Sequence, residues 1–202
     1  MRKSLLSLIF FCSVAAVFAN ETAVIDEQKF SDANVYFFNE DYEKAIPIYT
    51  MMYKLDTTNF NIAYRLGVCY VNTPLKLFQS IPYLKKALTQ TSIKYNEESS
   101  KERNAPLETY YYLGRAYQLT REFDKAIELY DYFVKQTVKK ERQLTEPSKK
   151  GIAACKVAKE LYKTPQKVEI SNVGKTINSE FYDINPCVTR NDSMLFYTVR
   201  TK

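Results

Sequence analysis

The side chains here that are capable of chemistry are cysteines, carboxylates, lysines and 17 tyrosines; histidine is absent from the whole chain. That absence removes the commonest general base and metal ligand, and every Ser-His or Cys-His nucleophile arrangement. Cys12, Cys69, Cys155 and Cys187 show neither metal-knuckle spacing nor a Cys-x-x-Cys pair. Cys69 and Cys155 fall in helical patterns, where a free cysteine behaves as a small apolar residue. The carboxylates around Glu97–Glu102 are interleaved with Lys101 and Arg103 and read as a solvated loop rather than an acid/base pair. The basic stretch Lys135–Arg142 reads as a helix end, where cations suit the dipole. No glycine-rich phosphate loop occurs. These residues point away from an enzyme and require no metal or cofactor. In a helical chain most of the tyrosines pack, and a few line a groove.

The elements that must position those tyrosines begin with Leu107–Gln136. Tyr110, Leu113, Gly114 and Tyr117 recur at i, i+3, i+4 and i+7, on one face of a helix. A polar break at Thr120-Arg121-Glu122 precedes a second helix with Ala126, Ile127, Tyr130, Phe133 and Val134 on its apolar side. Asp124 sits in its first turn, where a carboxylate suits the dipole. Glycine inside a helix costs about 1 kcal/mol relative to alanine, so Gly114 marks a place where a neighbouring helix comes close.

The same pattern recurs. Phe30–Asp56 carries Ala33, Tyr36, Ala45 and Tyr49 around a turn at Asn39–Tyr42, and Phe60–Thr91 carries Leu66-Gly67, Tyr70, Leu84 and Ala87. Ala33 to Gly67 is a step of 34 residues, and Gly67 to Gly114 one of 47. The excess falls partly near Pro74–Ser80 and mostly in Ile93–Asn104, where an added helical turn or two plus a loop is expected. Pro82 falls early in its helix, where a missing amide hydrogen is tolerated. With Tyr110, Leu113-Gly114, Tyr117, Ala126 and Tyr130 in order, the chain resembles a tetratricopeptide-repeat protein. It departs from the pattern at Tyr110, where tryptophan is frequent, and at Val138, where proline is frequent. The resemblance implies a mainly α fold, an α-solenoid of about three helical hairpins. Pro147–Lys163 follows, with Ile152, Cys155, Ala158 and Leu161-Tyr162 in helical register opposite Lys149, Lys150, Lys156, Lys159 and Lys163. It is expected to be a capping helix over the exposed end.

The two ends differ in character. Met1–Ala19 reads as a signal peptide: basic Arg2 and Lys3, the apolar run Leu5–Phe18, and a small residue at Ala19. Arg2 and Lys3 supply two of the six net positive charges, so the rest is mildly basic and implies no nucleic-acid partner. After Pro165, short strands are expected at Val168-Glu169-Ile170, Cys187-Val188-Thr189 and Met194–Val199, with Asn191-Asp192 as a turn. Val173–Phe181, Asn185-Pro186 and Leu195–Tyr197 through Arg200 resemble the opening of a WD-like β-propeller. That propeller belongs to Gram-negative envelope proteins in which tetratricopeptide repeats precede the propeller and an outer-membrane protein A-like peptidoglycan-binding domain. The expected domains are residues 1–19, 20–164 and 165–202, the last the start of an incomplete propeller in a fragment or a truncated copy. The resemblance implies an exported, periplasmic, non-enzymatic interaction scaffold with protein partners in the cell envelope and at most an indirect membrane association. The alternative is a spacer arm linking outer membrane to peptidoglycan, within secretion or gliding machinery. It places the partner groove at Asn34 and Phe38, Tyr64 and Asn72, and Tyr111, Arg115 and Gln118, without the basic set that clamps a terminal carboxylate.

Overall fold

The computed structural model describes residues 26–137, 143–165, 167–169, 171–172, 174–175, 177–178 and 182–200. Met1–Ala19, Val138–Arg142, Ile170, Val173, Thr176 and Ser179–Phe181 lie outside the described residues, so the signal segment and the Val138 departure are not addressed. The chain divides into two compact units, Met1–Lys163 and Thr164–Lys202.

The first unit is helical. Its elements are α1 (Glu27–Phe38), α2 (Tyr42–Leu55), α3 (Phe60–Val71), α4 (Leu77–Leu88), α5 (Thr109–Leu119), α6 (Phe123–Thr137) and α7 (Thr145–Lys163), each packed against the next in chain order. Three hairpins thus form where the repeated pattern places them. The turns of the first and third hairpins have a shared cause. After α1 and α5, Glu40 (φ 60°) and Arg121 (φ 66°) adopt the left-handed conformation. The amides of Asp41 and Glu122 then reach back to the carbonyls of Tyr36 and Tyr117. This double closure is a Schellman motif that satisfies the last helical carbonyls. The second hairpin differs: Asn72 closes α3, and a single 3-10 turn, Pro74–Lys76, takes up the extra length before α4. Pro82 is therefore the sixth residue of α4, one turn deeper than the sequence suggests, as Pro47 is the sixth of α2.

Two apolar clusters form the core. One holds Phe30, Ala33, Tyr49, Ile62 and Leu66 between α1, α2 and α3. The other holds Val68, Leu84, Leu113, Ala126, Tyr130 and Cys155 between α3 and α7. Cys69 and Cys155 are both buried and free, as apolar packing residues are, and burial pushes the Cys69 thiol up to about 12. The Tyr130 ring is gripped from two sides. A β-carbon on Gly114 of α5 would lie 3.0 Å from it, and one on Gly151 of α7 2.7 Å. Gly151 thus repeats on α7 the role of Gly114 on α5. The far end of α7 differs from expectation: Leu161 and Tyr162 are exposed, because the buried residues of α7, Thr145, Ser148, Gly151 and Cys155, all lie in its first part. Tyr162 rests on Phe123 and under Arg121 instead.

Ile93–Asn104 contains no helix. Its ends are tied by a two-residue parallel bridge, β1 (Thr91–Ser92) to β2 (Ala105–Pro106). Between them the backbone is satisfied locally: Asn96 Oδ1 accepts from the Glu98 amide, Ser99 Oγ from the Lys101 amide, and Glu102 Oε1 from the amides of Arg103 and Asn104. Such side-chain to backbone bonds compete with helix, and the polar run offers no apolar stripe to favour one.

The second unit contains an antiparallel hairpin, β3 (Tyr182–Val188) with β4 (Leu195–Arg200). A register shift between Ile184 and Cys187 accommodates Asn185 (φ 55°) and Pro186. Asn191 Oδ1 accepts from the hydroxyls of Thr189 and Ser193 to shape the turn. Val168 and Glu169 do not form the expected strand. A strand persists through its ladder, and none of the described ladders includes them.

The helix contacts give a graded expectation. A β-carbon at Gly67 would lie 2.4 Å from Leu84 Cγ, a buried atom with no room to retreat. Gly67→Ala should cost about 2–3 kcal/mol through overpacking, lowering the thermal midpoint by roughly 5–10 °C. Gly114→Ala should stay within about 1 kcal/mol, since the ring can yield slightly and alanine favours helix. Gly114→Leu should match the Gly67→Ala loss. Thermal unfolding by circular dichroism checks the ordering.

Candidate functional site

Asn61 through Val71 are all buried, which makes α3 the central helix of the first unit. Two of its residues are strongly polar, Asn61 and Arg65, one turn apart on a common face. Arg65 is 1% exposed. Among the described ion pairs none includes it, so its charge is held by neutral groups. Nε donates to Asn61 Oδ1 (3.1 Å), Nη1 to Tyr49 Oη (3.3 Å), and Nη2 to Tyr95 Oη (3.2 Å) and to the carbonyl of Glu97. The guanidinium centre also lies 5.1 Å from the Phe30 ring and 5.2 Å from that of Phe37, within cation–π range.

The partners are themselves fixed. Tyr49 Oη donates to Asn34 Oδ1 (2.6 Å). Tyr95 Oη donates to Asn61 Oδ1 (2.6 Å), closing a ring of bonds between Arg65, Asn61 and Tyr95. Asn61 Nδ2 donates to the carbonyl of Glu102, while the amides of Phe60 and Asn61 donate to that of Arg103. Arg103 in turn pairs with Asp56 at 2.6 Å. The loop's charged side chains Glu97, Glu98, Lys101 and Arg103 are exposed as expected, while its backbone carbonyls make it a strap laid over α3. Burial alone would weaken the Arg65 charge, but Tyr95 and Tyr49 outweigh it, and its pKa ends above the ordinary arginine value. Burial raises the phenols of Tyr49 and Tyr64, and lifts Tyr95 and Tyr112 to about 12.

Beside the strap lies a cavity of about 960 Å³, whose walls include Phe38, Tyr42, Tyr64, Arg65, Tyr95 and Tyr112. A second, of about 720 Å³, lies between α1, at Asn34, Val35 and Phe38, and Ser99–Lys101 of the strap. Of the residues assigned to the groove by resemblance, the structure brings Asn34, Phe38 and Tyr64 to these cavities. Phe38 is 52% exposed on the rim of both. Tyr64 is a buried wall, edge-on to Tyr95 and Tyr112. The other four lie outside them. Asn72 Nδ2 donates to the Val68 carbonyl at the end of α3, Gln118 Oε1 accepts from Tyr130 Oη (2.8 Å), and Tyr111 leans on Tyr112 and Tyr130. Arg115 is half-buried along α5. The sequence reading missed Arg65, Asn61, Tyr49 and Tyr95. An arginine inside the otherwise apolar stretch Phe60–Val71 was the available signal.

No family model matches the chain, and no curated protein matches it. Among solved structures 15 chains match, one of them the Sgt2 TPR domain from Aspergillus fumigatus. That match has a TM-score of 0.51 and 15% identity, covering 73% of this chain and 88% of that one. At this identity the likeness shows the fold alone: a tetratricopeptide-like helical repeat, mainly α.

The raised tyrosines set a pH dependence. In the unfolded chain a phenol ionises near the ordinary 10.0, whereas Tyr95 and Tyr112 hold their protons to about 12. Their contribution to stability is whole below pH 10 and is lost as pH rises toward 12. At about 1.4 kcal/mol per tenfold change in proton affinity, the loss is on the order of 2 kcal/mol for each. The thermal midpoint should fall steeply from pH 10 to 12, and Tyr95→Phe should flatten part of that fall.

Proposed function

We propose that the chain is a non-enzymatic protein–protein interaction scaffold whose first unit receives a polypeptide partner in the groove between α1, α3 and α5. The observation that carries this reading is the cavity of about 960 Å³, walled by aromatic rings and by Glu40, Glu97, Glu98 and Glu108, on a tetratricopeptide-like fold. Cavities of this size suit a few anchoring side chains, and exposed aromatics such as Phe38 are the residue type that dominates partner binding. Of the assigned groove residues, Asn34, Phe38 and Tyr64 form the proposed surface, with Phe38 on its rim, while Asn72, Tyr111, Arg115 and Gln118 lie outside it. Met1–Ala19 supports export, and so a periplasmic scaffold with envelope protein partners.

The second reading is a spacer arm between outer membrane and peptidoglycan. The β3–β4 hairpin favours it, as two strands of the type that would open a propeller blade after the repeats, residues 165–202 following the helical domain 20–164.

A photo-cross-linking residue placed at Phe38 in cells, with Val157 on the exposed face of α7 as control, tests the scaffold. One discrete protein adduct from position 38, absent from 157, is expected. No adduct, or the same adducts from both positions, would count against the groove and leave the spacer reading.

A further inference from the structure

The strap makes the contacts a bound peptide makes. Residues 93–104 engage α3 through one side-chain hydroxyl, that of Tyr95, and through the backbone carbonyls of Glu97, Glu102 and Arg103. At its far end it touches α1 through Ser100 and Lys101, both facing Glu27. No strap residue belongs to either apolar cluster, and its apolar Ile93 is 73% exposed. Its attachment to the helices is therefore mostly polar, with the Tyr95 ring, edge-on to Tyr64, its one described ring contact with the core. Its ends are neighbours: Thr91 pairs with Ala105 and Ser92 with Pro106, about 4.8 Å apart as in any ladder. Because the pairing is parallel, the link that replaces what lies between must keep its length of 12 residues.

Building on the scaffold reading, we propose that residues 93–104 are a built-in occupant of the groove. The surface they cover then fits a polypeptide segment presenting an aromatic hydroxyl and, two residues later, an unpaired backbone carbonyl. Asn61 Oδ1 accepts the hydroxyl, and the Arg65 guanidinium takes both that oxygen and the carbonyl. Among the described residues no carboxylate hydrogen-bonds or pairs with this guanidinium, and that defines the partner's chemistry: Arg65 recognises neutral oxygens, flanked by aromatic faces, rather than an acidic terminus. A partner gains this surface by displacing the strap. The intact chain resists because its own strap is tethered, at an effective concentration in the millimolar range typical of short linkers.

The test uses the full chain with residues 93–104 replaced by a Gly/Ser linker of the same length, and as probes a synthetic peptide of residues 92–104 and the same peptide with Tyr95→Phe. The expected result is binding of the first peptide with a Kd of about 10–100 μM. Binding of the second should be roughly tenfold weaker for want of one charge-assisted bond, and the intact chain should show no binding. A folded excised chain that binds neither peptide, that binds both equally, or that pairs with a second copy instead would overturn the proposal. So would binding to the intact chain. If excision abolishes the helical circular dichroism, the intact chain carrying Tyr95→Phe and Arg103→Ala decides. Amides of 93–104 exchanging faster while those of α3 stay protected, with the wild-type peptide now bound, supports a displaceable strap. Exchange of both stretches together, or no peptide binding, overturns it. Cross-linking from Phe38 is independent of either outcome, so failure here leaves the scaffold reading standing.

Discussion

A buried guanidinium that no carboxylate among the described residues pairs with is the constraint around which this helical unit is arranged. Removing such a cation from water carries an effective penalty of several kcal/mol, while a hydrogen bond to a charged group returns about 1.5–3 kcal/mol. Arg65 makes four, from three separate parts of the chain. No single element supplies enough, so α2, α3 and the strap must close together for the charge to be tolerated. The aromatic rings of Phe30 and Phe37 complete the enclosure from α1. A leucine at this place would pack more simply. It would offer no means of holding an irregular, polar segment in one position over the groove.

Around that point the hairpins stack by a simpler rule. A small residue on one helix admits a large one from the next: Gly67 admits Leu84, and Gly114 and Gly151 share Tyr130. This rule fixes how closely helices approach and so where the first helices of the hairpins stand. It leaves α1 and α3 near enough for Phe38 and Tyr64 to wall one cavity. Stacking and site are thus separate in cause. The apolar contacts set the groove's width, and the Arg65 contacts set what lies in it.

The stacking was legible from sequence because it is local and periodic. Glycine in a helix flags a close approach, and the spacing of Gly67 and Gly114 located the hairpins. Gly151 escaped notice because α7 was read from its apolar residues, two of which, Leu161 and Tyr162, prove exposed. The site was far less legible. Arg65 meets Tyr49 and Tyr95 from 16 and 30 residues away, and no period announces such meetings. The strap was invisible for a related reason: its backbone is held by Asn96, Ser99 and Glu102, a pattern that composition alone reads as a solvated loop. Groove positions assigned by resemblance fall on α1, α3 and its end, and α5. That reading could not tell that Asn72 closes α3 or that Gln118 is engaged by Tyr130.

The account rests on Arg65 and Tyr95 acting as one unit, and a double-mutant cycle measures that directly. Stabilities of the wild-type chain, Arg65→Met, Tyr95→Phe and the double variant would be read from denaturant unfolding. If the guanidinium, Asn61 and Tyr95 form one closed network, both single changes destabilise, and the double variant loses less than their sum by at least about 1 kcal/mol, the scale of coupled neighbours. Losses that simply add would mean the strap and the buried cation are independent, and would contradict the account.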